Sequence, residues 1–357
     1  MARAVSDAAL LVQALRDPSS LPRETDWLAL LTMARAEQLI GTLAYRLAGL
    51  PLPEPVAAAL HDARSAADAA RRAALWEAEM ARRTLAPIGC RVVLLKGTAF
   101  VAAGLAAGRG RSIGDLDILV PRDALAAVEA ALLAGGWEWV KPDPYDDAYY
   151  RDHMHELPPL IHRERDRMID VHHSILPLTA RITPDAAALL ANAQALGNGL
   201  HMLAPADMIV HAAAHLLADG DLAGGLRNLW DIHCLIDEFG TAGLAARARL
   251  HALHPQVRQV ARLAHQLFGT AIPEEWAEDS PEDGPEDWRR STLGDRLVRR
   301  GLLARDGWGR PTRPGTRLAF YVRSHWLRMP PAMLARHLWV KARRGAPASG
   351  SARHNDR

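Results

Sequence analysis

The segment G-D-L-D-I-L-V, residues 114–120, contains two aspartates separated by one residue. Its Leu, Ile and Val residues predict a β-strand, in which alternate side chains point to the same face. Asp115 and Asp117 should therefore lie side by side, and adjacent carboxylates repel each other unless a cation lies between them. Such an oxygen-only pair suits Mg²⁺, which binds one or two carboxylates and leaves its other positions to water and phosphate. Alternatively, Asp115 is a turn residue and Asp117 forms a surface ion pair.

A third carboxylate, Asp170, interrupts the apolar residues of the predicted strand R-M-I-D-V-H-H-S-I. A buried acid costs free energy unless it is paired or bound to metal. Three carboxylates on two neighbouring strands can hold two divalent ions, which activate an attacking oxygen and neutralise a triphosphate leaving group. We therefore predict that Asp115, Asp117 and Asp170 are catalytic and bind two Mg²⁺ ions, with Mn²⁺ as a possible substitute.

A candidate phosphate site precedes these acids in the segment L-L-K-G-T, residues 94–98. A strand ends there and a helix is expected to begin at about Thr98, so backbone N–H groups and the helix dipole converge on one point. Lys96 supplies positive charge, Gly97 permits close approach of the backbone, and Arg111 can reach the same anion. These four residues are the predicted nucleotide-binding set, although Lys96 and Gly97 could simply end a strand.

Histidine is plentiful, at 16 residues, and several pairs have spacings found in metal sites. His211 and His215 are four residues apart on a predicted helix, a spacing that allows zinc binding. No glutamate lies between them, so the protease motif H-E-x-x-H is absent, and packing or hydrogen bonding is the expected role. His172 shares a strand face with Asp170 and is predicted to orient that acid or to contact substrate.

The elements that must position these residues fall into four predicted regions. Helices are predicted over residues 26–48 and 54–85, whereas strands, short helices and a hairpin are predicted from Cys90 onwards. The segment K-P-D-P-Y-D-D is predicted to be a loop, the chain from Pro184 onwards to be helical, and the acidic segment 273–292 to be a connector. The predicted organisation is a helical region at 1–89, an α/β core at 90–180, a helical domain at 181–343 and a disordered tail at 344–357.

Composition excludes several classes of protein. The 357 residues are 49% hydrophobic and 24% charged, which is typical of a globular chain rather than a disordered one. Because 43 basic and 41 acidic residues nearly cancel, nucleic acid is a disfavoured partner, although the segment L-A-R-H-L-W-V-K-A-R-R near the C-terminus is locally basic. No apolar run is long enough to span a membrane, and two cysteines are too few for a disulfide framework. A cytoplasmic protein without a membrane partner is expected.

Taken in order, the motifs resemble those of the uncharacterised nucleotidyltransferase family within the polymerase-beta-like superfamily. The resemblance extends over about residues 25–240 and is carried by L-L-K-G, R-S-I-G-D-L-D-I-L-V, H-E-L-P-P-L-I and I-D-V-H-H-S-I. It implies an α+β fold, with a small mixed β-sheet core between helical regions. It also implies that Asp115, Asp117 and Asp170 bind two Mg²⁺ ions around a nucleoside triphosphate. Lys96-Gly97 stands where the broader superfamily has Gly-Ser, and many relatives have Glu where this chain has Asp170.

The expected function is transfer of a nucleoside monophosphate from a nucleoside triphosphate, with ATP as the expected donor and pyrophosphate as the product. The acceptor is an unidentified small molecule, peptide or protein that carries a hydroxyl or phosphate group. The alternative is a non-catalytic nucleotide-binding or antitoxin-like regulatory protein on the same fold. A metal hydrolase built on the histidine-rich loops is disfavoured, because neither H-E-x-x-H nor a set of thiolates is present.

Overall fold

A computed structural model of the protein describes residues 8–272, 291–330 and 334. The predicted tail, nearly all of the acidic connector and the basic segment near the C-terminus lie outside these residues. Within them, a seven-stranded mixed sheet lies between helical regions, which confirms the predicted fold class.

Within the described residues, four α-helices precede the sheet. The helix predicted over residues 26–48 is two helices, because the chain turns at Gln38, which has a positive φ of 56°. The long helix predicted over 54–85 is confirmed, and Pro55 lies in its first turn, where a missing N–H costs no hydrogen bond. The bounds are α1 Ala9–Arg16, α2 Trp27–Ala36, α3 Ile40–Arg46 and α4 Glu54–Leu85.

The sheet has the strand order β3-β4-β5-β2-β1-β7-β6. β1 pairs antiparallel with β2 and parallel with β7, whereas β2 pairs parallel with β5, so the three central strands β5, β2 and β1 include both orientations. β4 and β5 form the predicted hairpin. The bounds are β1 Val92–Leu94, β2 Leu116–Leu119, β3 Trp137–Trp139, β4 Leu160–His162, β5 Met168–His172, β6 Gln194–Ala195 and β7 Leu200–Met202.

The expectation that the chain is wholly helical from Pro184 onwards was wrong. The strands β6 and β7 follow that residue and extend the sheet beyond β1. They contain only two and three residues, which is too short for an alternating pattern. The G-N-G turn between them was the available signal, and both of its glycines, Gly197 and Gly199, have positive φ. The division of the chain at residue 180 stays a prediction.

The segment K-P-D-P-Y-D-D was also predicted incorrectly. Most of it belongs to a helix, α7, which spans Pro144–His153. The Asp143 side chain accepts a hydrogen bond from the Tyr145 amide at 2.9 Å. Asp and Pro here begin a helix, as both residue types commonly do at a helix N-terminus.

The other helices pack around the sheet and against one another. The largest cluster of buried apolar residues runs from α1, through the sheet, to the last described helix. None of the described helices is both long enough and apolar enough to cross a bilayer. The bounds are α5 Lys96–Ala102, α6 Leu125–Ala134, α8 Ala186–Ala191, α9 Pro205–Ala213, α10 Gly225–Phe239, α11 Leu244–Leu250, α12 His254–Phe268, α13 Leu293–Leu302 and α14 Pro314–Arg328.

Candidate active site

Two of the predicted catalytic acids lie directly opposite each other in the sheet. In the parallel pair β2–β5, Asp117 is in register with Asp170, so both side chains project from the same face. The residues on either side of Asp117, Leu116 and Ile118, are buried and alternate to the other face. Asp115 lies one residue before β2 and is exposed. The fold therefore brings the three acids to one end of two adjacent strands.

Asp117 is buried and has two close partners. Lys96 Nζ donates a hydrogen bond to Asp117 Oδ1 at 2.6 Å, and His172 Nε2 lies 3.0 Å from the same oxygen. Burial acts to raise the pKa of Asp117, but the Lys96 ammonium and the His172 hydrogen bond outweigh it and hold the pKa below its usual value. His172 thus contacts the acid on the neighbouring strand, whereas the sequence had associated it with Asp170.

The pKa of Asp170 is shifted in the opposite direction from that of Asp117. Burial of Asp170, reinforced by the negative charges of Asp117 and Glu156, raises its pKa to about 7. Two neighbouring carboxylates cannot both ionise cheaply without a cation. This corner of the sheet therefore carries more negative charge than the protein itself neutralises.

A cleft of about 550 Å³ opens beside Asp115 and Asp117, whereas Asp170 does not line it. All four predicted nucleotide-binding residues lie along it together with the first two acids. The six are Lys96, Gly97, Thr98, Arg111, Asp115 and Asp117.

The side of the cleft that was predicted to bind phosphate differs in detail from the prediction. The helix α5 begins at Lys96, before Thr98, and has only seven residues. Lys96 has a φ of 48°, a left-handed conformation that is uncommon for a residue with a side chain. This conformation accompanies the ion pair between Lys96 and Asp117. The Thr98 hydroxyl is buried and makes no hydrogen bond within the described part of the chain.

Arg111 lies across Gly97 and is held by a residue that the sequence did not indicate. A Cβ at position 97 would collide with the Arg111 side chain, so glycine is required for this close packing. Arg111 Nη1 forms an ion pair with Asp231 Oδ2 on α10. The other oxygen of Asp231, Oδ1, accepts a hydrogen bond from Arg227 Nη2 at 2.6 Å.

The Arg227 guanidinium extends this network to the first helical region. It is buried and donates hydrogen bonds to Thr42 Oγ1 at 2.5 Å and to the Ala107 carbonyl at 2.6 Å. The loop that carries Arg111 also contacts α3 through backbone, because a Cβ on either Gly41 or Gly110 would collide with the other residue. Two helices distant in sequence, α3 and α10, therefore fix the position of Arg111.

Two further side chains lie beside the acids. His155 and Glu156 precede β4, and Glu156 forms an isolated β-bridge with His172. Burial lowers the pKa of His155 well below its usual value, and the interactions with His172 and Lys96 lower it further. Both residues belong to the H-E-L-P-P-L-I segment, which is one of the segments that carry the family resemblance. Their proximity to His172 depends on strand pairing and has no signal in the local sequence.

The predicted helical histidine pair also lies near the cleft. His211 and His215 both line it, and burial lowers the pKa of His211 well below the usual value. His215 Nδ1 is 3.1 Å from the Asn228 amide nitrogen. This contact agrees with the hydrogen-bonding role that the sequence predicted for the pair.

The fold and the convergence of acids on one cleft are those of an α+β protein with a candidate nucleotide site. The chain matches the family described as uncharacterised nucleotidyltransferase over residues 23–269, and therefore belongs to that family. This membership confirms the resemblance drawn from the motifs. It supports transferase activity, a nucleoside triphosphate substrate and use of a divalent metal in general terms. No curated protein matches the chain.

Proposed function

We propose that the protein transfers a nucleoside monophosphate from a nucleoside triphosphate, with ATP as the expected donor, to a hydroxyl- or phosphate-bearing acceptor. The observation that carries the proposal is the register of Asp117 opposite Asp170 on parallel strands beside the cleft. Membership of a nucleotidyltransferase family supports the same reaction class. The acceptor is a small molecule, a peptide or a protein.

The carboxylates fit Mg²⁺ by the chemistry of their oxygen atoms and by their charge. The raised pKa of Asp170, caused by burial and by its acidic neighbours, supports this assignment, because a hard divalent cation would relieve the excess negative charge. Asp115, Asp117 and Asp170 would hold the two Mg²⁺ ions. When bound, Mg²⁺ would neutralise phosphate charge and favour the ionised form of the attacking acceptor.

The reaction forms one bond and breaks another at the α-phosphorus. The acceptor oxygen bonds to the α-phosphorus, and the bond from that phosphorus to the α–β bridging oxygen breaks, so that pyrophosphate leaves. Asp170 would bind the ion that activates the acceptor and is the candidate base for the acceptor proton. Lys96 and Arg111 would bind the triphosphate.

A labelled-nucleotide assay tests this proposal directly. The full chain is incubated with Mg²⁺, each labelled nucleoside triphosphate and candidate acceptors, and also with no acceptor other than the protein itself. We expect pyrophosphate release and transfer of label in the wild type, and their loss in Asp117→Asn. The matched control is Asp123→Asn, which changes an exposed aspartate just after β2 and should retain activity.

Equal pyrophosphate release by wild type and Asp117→Asn would contradict the proposal, as would no release with any donor and acceptor. Mg²⁺-dependent nucleotide binding without turnover would instead favour the regulatory protein considered above. Circular dichroism of each variant ensures that loss of activity is compared between folded proteins.

A further inference from the structure

Three side chains of metal-binding type converge beside the carboxylate pair. They are His155, Glu156 and His172, and one potential ligand atom from each lies within 4.8 Å of those from the other two. Glu156 Oε2 is 3.3 Å from His172 Nδ1, and the two imidazole rings have centroids 5.1 Å apart. Histidine nitrogens with a carboxylate oxygen form a donor set different from the all-oxygen set of Asp115, Asp117 and Asp170.

Both imidazoles are buried and have a nitrogen that the protein leaves without a hydrogen bond. His155 and His172 are 8% and 2% exposed. Across residues 8–272 and 291–330, the Nδ1 atoms of both rings make no hydrogen bond. The 3.3 Å approach of Glu156 to His172 therefore lacks hydrogen-bond geometry. Buried nitrogens without partners in a folded protein call for an unseen ligand, either water or an ion.

The hydrogen bond on the other side of His172 prepares its Nδ1 as a ligand. Nε2 lies 3.0 Å from Asp117 Oδ1, and an ionised carboxylate only accepts hydrogen bonds. In the neutral ring, the proton is therefore on Nε2 and the lone pair of Nδ1 faces Glu156. A carboxylate that fixes the far nitrogen of a histidine is the usual neighbour of a metal-binding imidazole.

The spacing of Glu156 and His172 also fits a small transition-metal ion, and the ligand atom of His155 lies within 4.8 Å of both. Nitrogen and oxygen ligands at about 2.0–2.2 Å from a tetrahedral zinc ion lie roughly 3.4 Å apart. The 3.3 Å separation of Glu156 Oε2 and His172 Nδ1 matches that value. Two imidazoles and one carboxylate favour Zn²⁺ or Co²⁺ over Mg²⁺, which prefers oxygen ligands.

We propose that His155, Glu156 and His172 bind one divalent transition-metal ion of the zinc class, at a site distinct from the Mg²⁺ site assigned to the three aspartates. The ion joins the end of β5 to the segment before β4. It also fixes the His172 ring, and through that ring the position of Asp117. The proposal does not depend on nucleotide transfer, because metal binding is measured on its own.

Cobalt binding tests the proposed site. The full chain, free of any histidine tag, is stripped with chelator, dialysed and titrated with Co²⁺ in the presence of a large excess of Mg²⁺, which occupies the all-oxygen site. We expect one Co²⁺ per chain, measured by metal analysis, with visible absorption bands of a nitrogen-ligated ion. His155→Gln and Glu156→Gln should abolish these bands.

Two other variants define the site further. Asp117→Asn should retain the stoichiometry but weaken Co²⁺ binding about 10- to 100-fold, because it disturbs the carboxylate behind His172. The control His61→Gln removes an exposed histidine from α4 and should bind Co²⁺ like the wild type. Far-ultraviolet circular dichroism verifies that each variant is folded, and the near-isosteric Glu156→Gln serves if His155→Gln unfolds.

Three results would overturn the proposal. They are no Co²⁺ retained by the wild type, unchanged binding in both His155→Gln and Glu156→Gln, and binding that is lost only in Asp115→Asn. The last result would assign Co²⁺ to the aspartates. Failure of the nucleotide-transfer assay would leave a positive Co²⁺ result intact, so the two proposals can fail separately.

Discussion

Two aspartates of this protein, the partly buried Asp170 and the fully buried Asp207, have opposite electrostatic surroundings. Asp207, on α9, is fully buried and accepts hydrogen bonds from Arg247 Nε and Nη2, both at 2.7 Å. Burial alone would raise the pKa of Asp207, but contacts with His251 and Arg247 outweigh it and lower the pKa. Around Asp170, burial and two acidic neighbours raise the pKa to about 7.

The comparison distinguishes a carboxylate that stabilises the fold, Asp207, from one whose charge is available to a ligand, Asp170. At Asp207 a bidentate arginine compensates the carboxylate and connects α9 to α11, while Arg247 also donates to the Ala188 carbonyl at 3.1 Å. At Asp170 the negative charge is left in excess, next to Asp117, which lines a cleft. A strongly perturbed titratable group in such a place is a candidate functional group, whereas a compensated one is a folding constraint.

The substitution Asp170→Asn should have the largest effect on activity. We expect nucleotide transfer to fall about 10²- to 10⁴-fold, because the variant loses a metal ligand and a base. Without metal at neutral pH, the same variant should unfold at a higher urea concentration than the wild type, since a repelled charge is gone. Transfer rates and urea unfolding in chelator measure the two effects. An active variant would remove Asp170 from the site.

The substitution Asp207→Asn should do the reverse. Loss of the carboxylate leaves Arg247 with an uncompensated charge, and breaking such a buried pair costs about 3–5 kcal/mol of unfolding free energy. Transfer activity per folded molecule should be unchanged. Urea unfolding measures the cost, and the exposed Asp62→Asn on α4 should lie within about 0.5 kcal/mol of the wild type. Equal stability of Asp207→Asn and wild type would show that the ion pair is not structural.

A third aspartate, Asp231, has features of both and should give an intermediate effect. It is buried and compensated by Arg227, but it also holds Arg111 at the cleft. We expect Asp231→Asn to raise the KM for nucleoside triphosphate roughly tenfold, equal to about 1.4 kcal/mol of binding, with a smaller change in kcat.

The matched control for Asp231→Asn is Asp207→Asn, which removes a buried carboxylate paired with Arg247 instead of Arg111. Both variants should lose stability, but only Asp231→Asn should raise KM. Equal KM values in the two would assign Asp231 to the core alone.

The pH dependence of stability provides the finest test of the comparison. The folded-state pKa of Asp170, about 7, exceeds the ordinary value of 3.8. The folded protein therefore binds more protons between these values, and unfolding free energy should decrease as pH rises from about 4 to 7. We expect a contribution of roughly 1–2 kcal/mol in chelator, reduced from the full shift by partial exposure. It should be absent in Asp170→Asn and suppressed by Mg²⁺.

Asp207 contributes in a different window and with the opposite sign. Its folded-state pKa lies below 3.8, so its stabilisation is present above that pH and is lost as the pH falls through the lower value. Urea unfolding at closely spaced pH values separates the two windows. If the unfolding free energy of the wild type depends on pH between 4 and 7 in the same way as that of Asp170→Asn, the raised pKa of Asp170 is contradicted.

Local sequence patterns predicted the strands that carry the aspartates and the long helix before them. The D-x-D strand, the strand of Asp170 and the helix 54–85 each have a period or a terminating residue that can be read from neighbouring positions. That Lys96 and Arg111 share a cleft with Asp115 and Asp117 also followed, because Lys96 follows one predicted strand and Arg111 precedes the other. The strands β6 and β7 did not follow, since they are too short to show a period.

The partners of the site residues depended on tertiary structure. Asp231 lies on the amphipathic helix α10, and nothing in its local sequence distinguishes it from a surface acid. Its role becomes visible only in the folded structure, where it pairs with Arg111. In the same way, His155 and Glu156 meet His172 only because β4 and β5 form a hairpin. Contacts between distant segments have no local signature in a single sequence.

The parallel pairing of β1 with β7 has a consequence for how the protein is made. Val93 pairs with His201. One edge of β1 therefore stays unpaired on the ribosome until the strands that carry the aspartates and the β4–β5 hairpin have been synthesised. Non-local parallel pairing of this kind is intrinsically slow to form, and an open strand edge invites association with other chains. We therefore expect the nascent chain to be prone to aggregation until β7, which follows the G-N-G turn, has emerged and paired with β1.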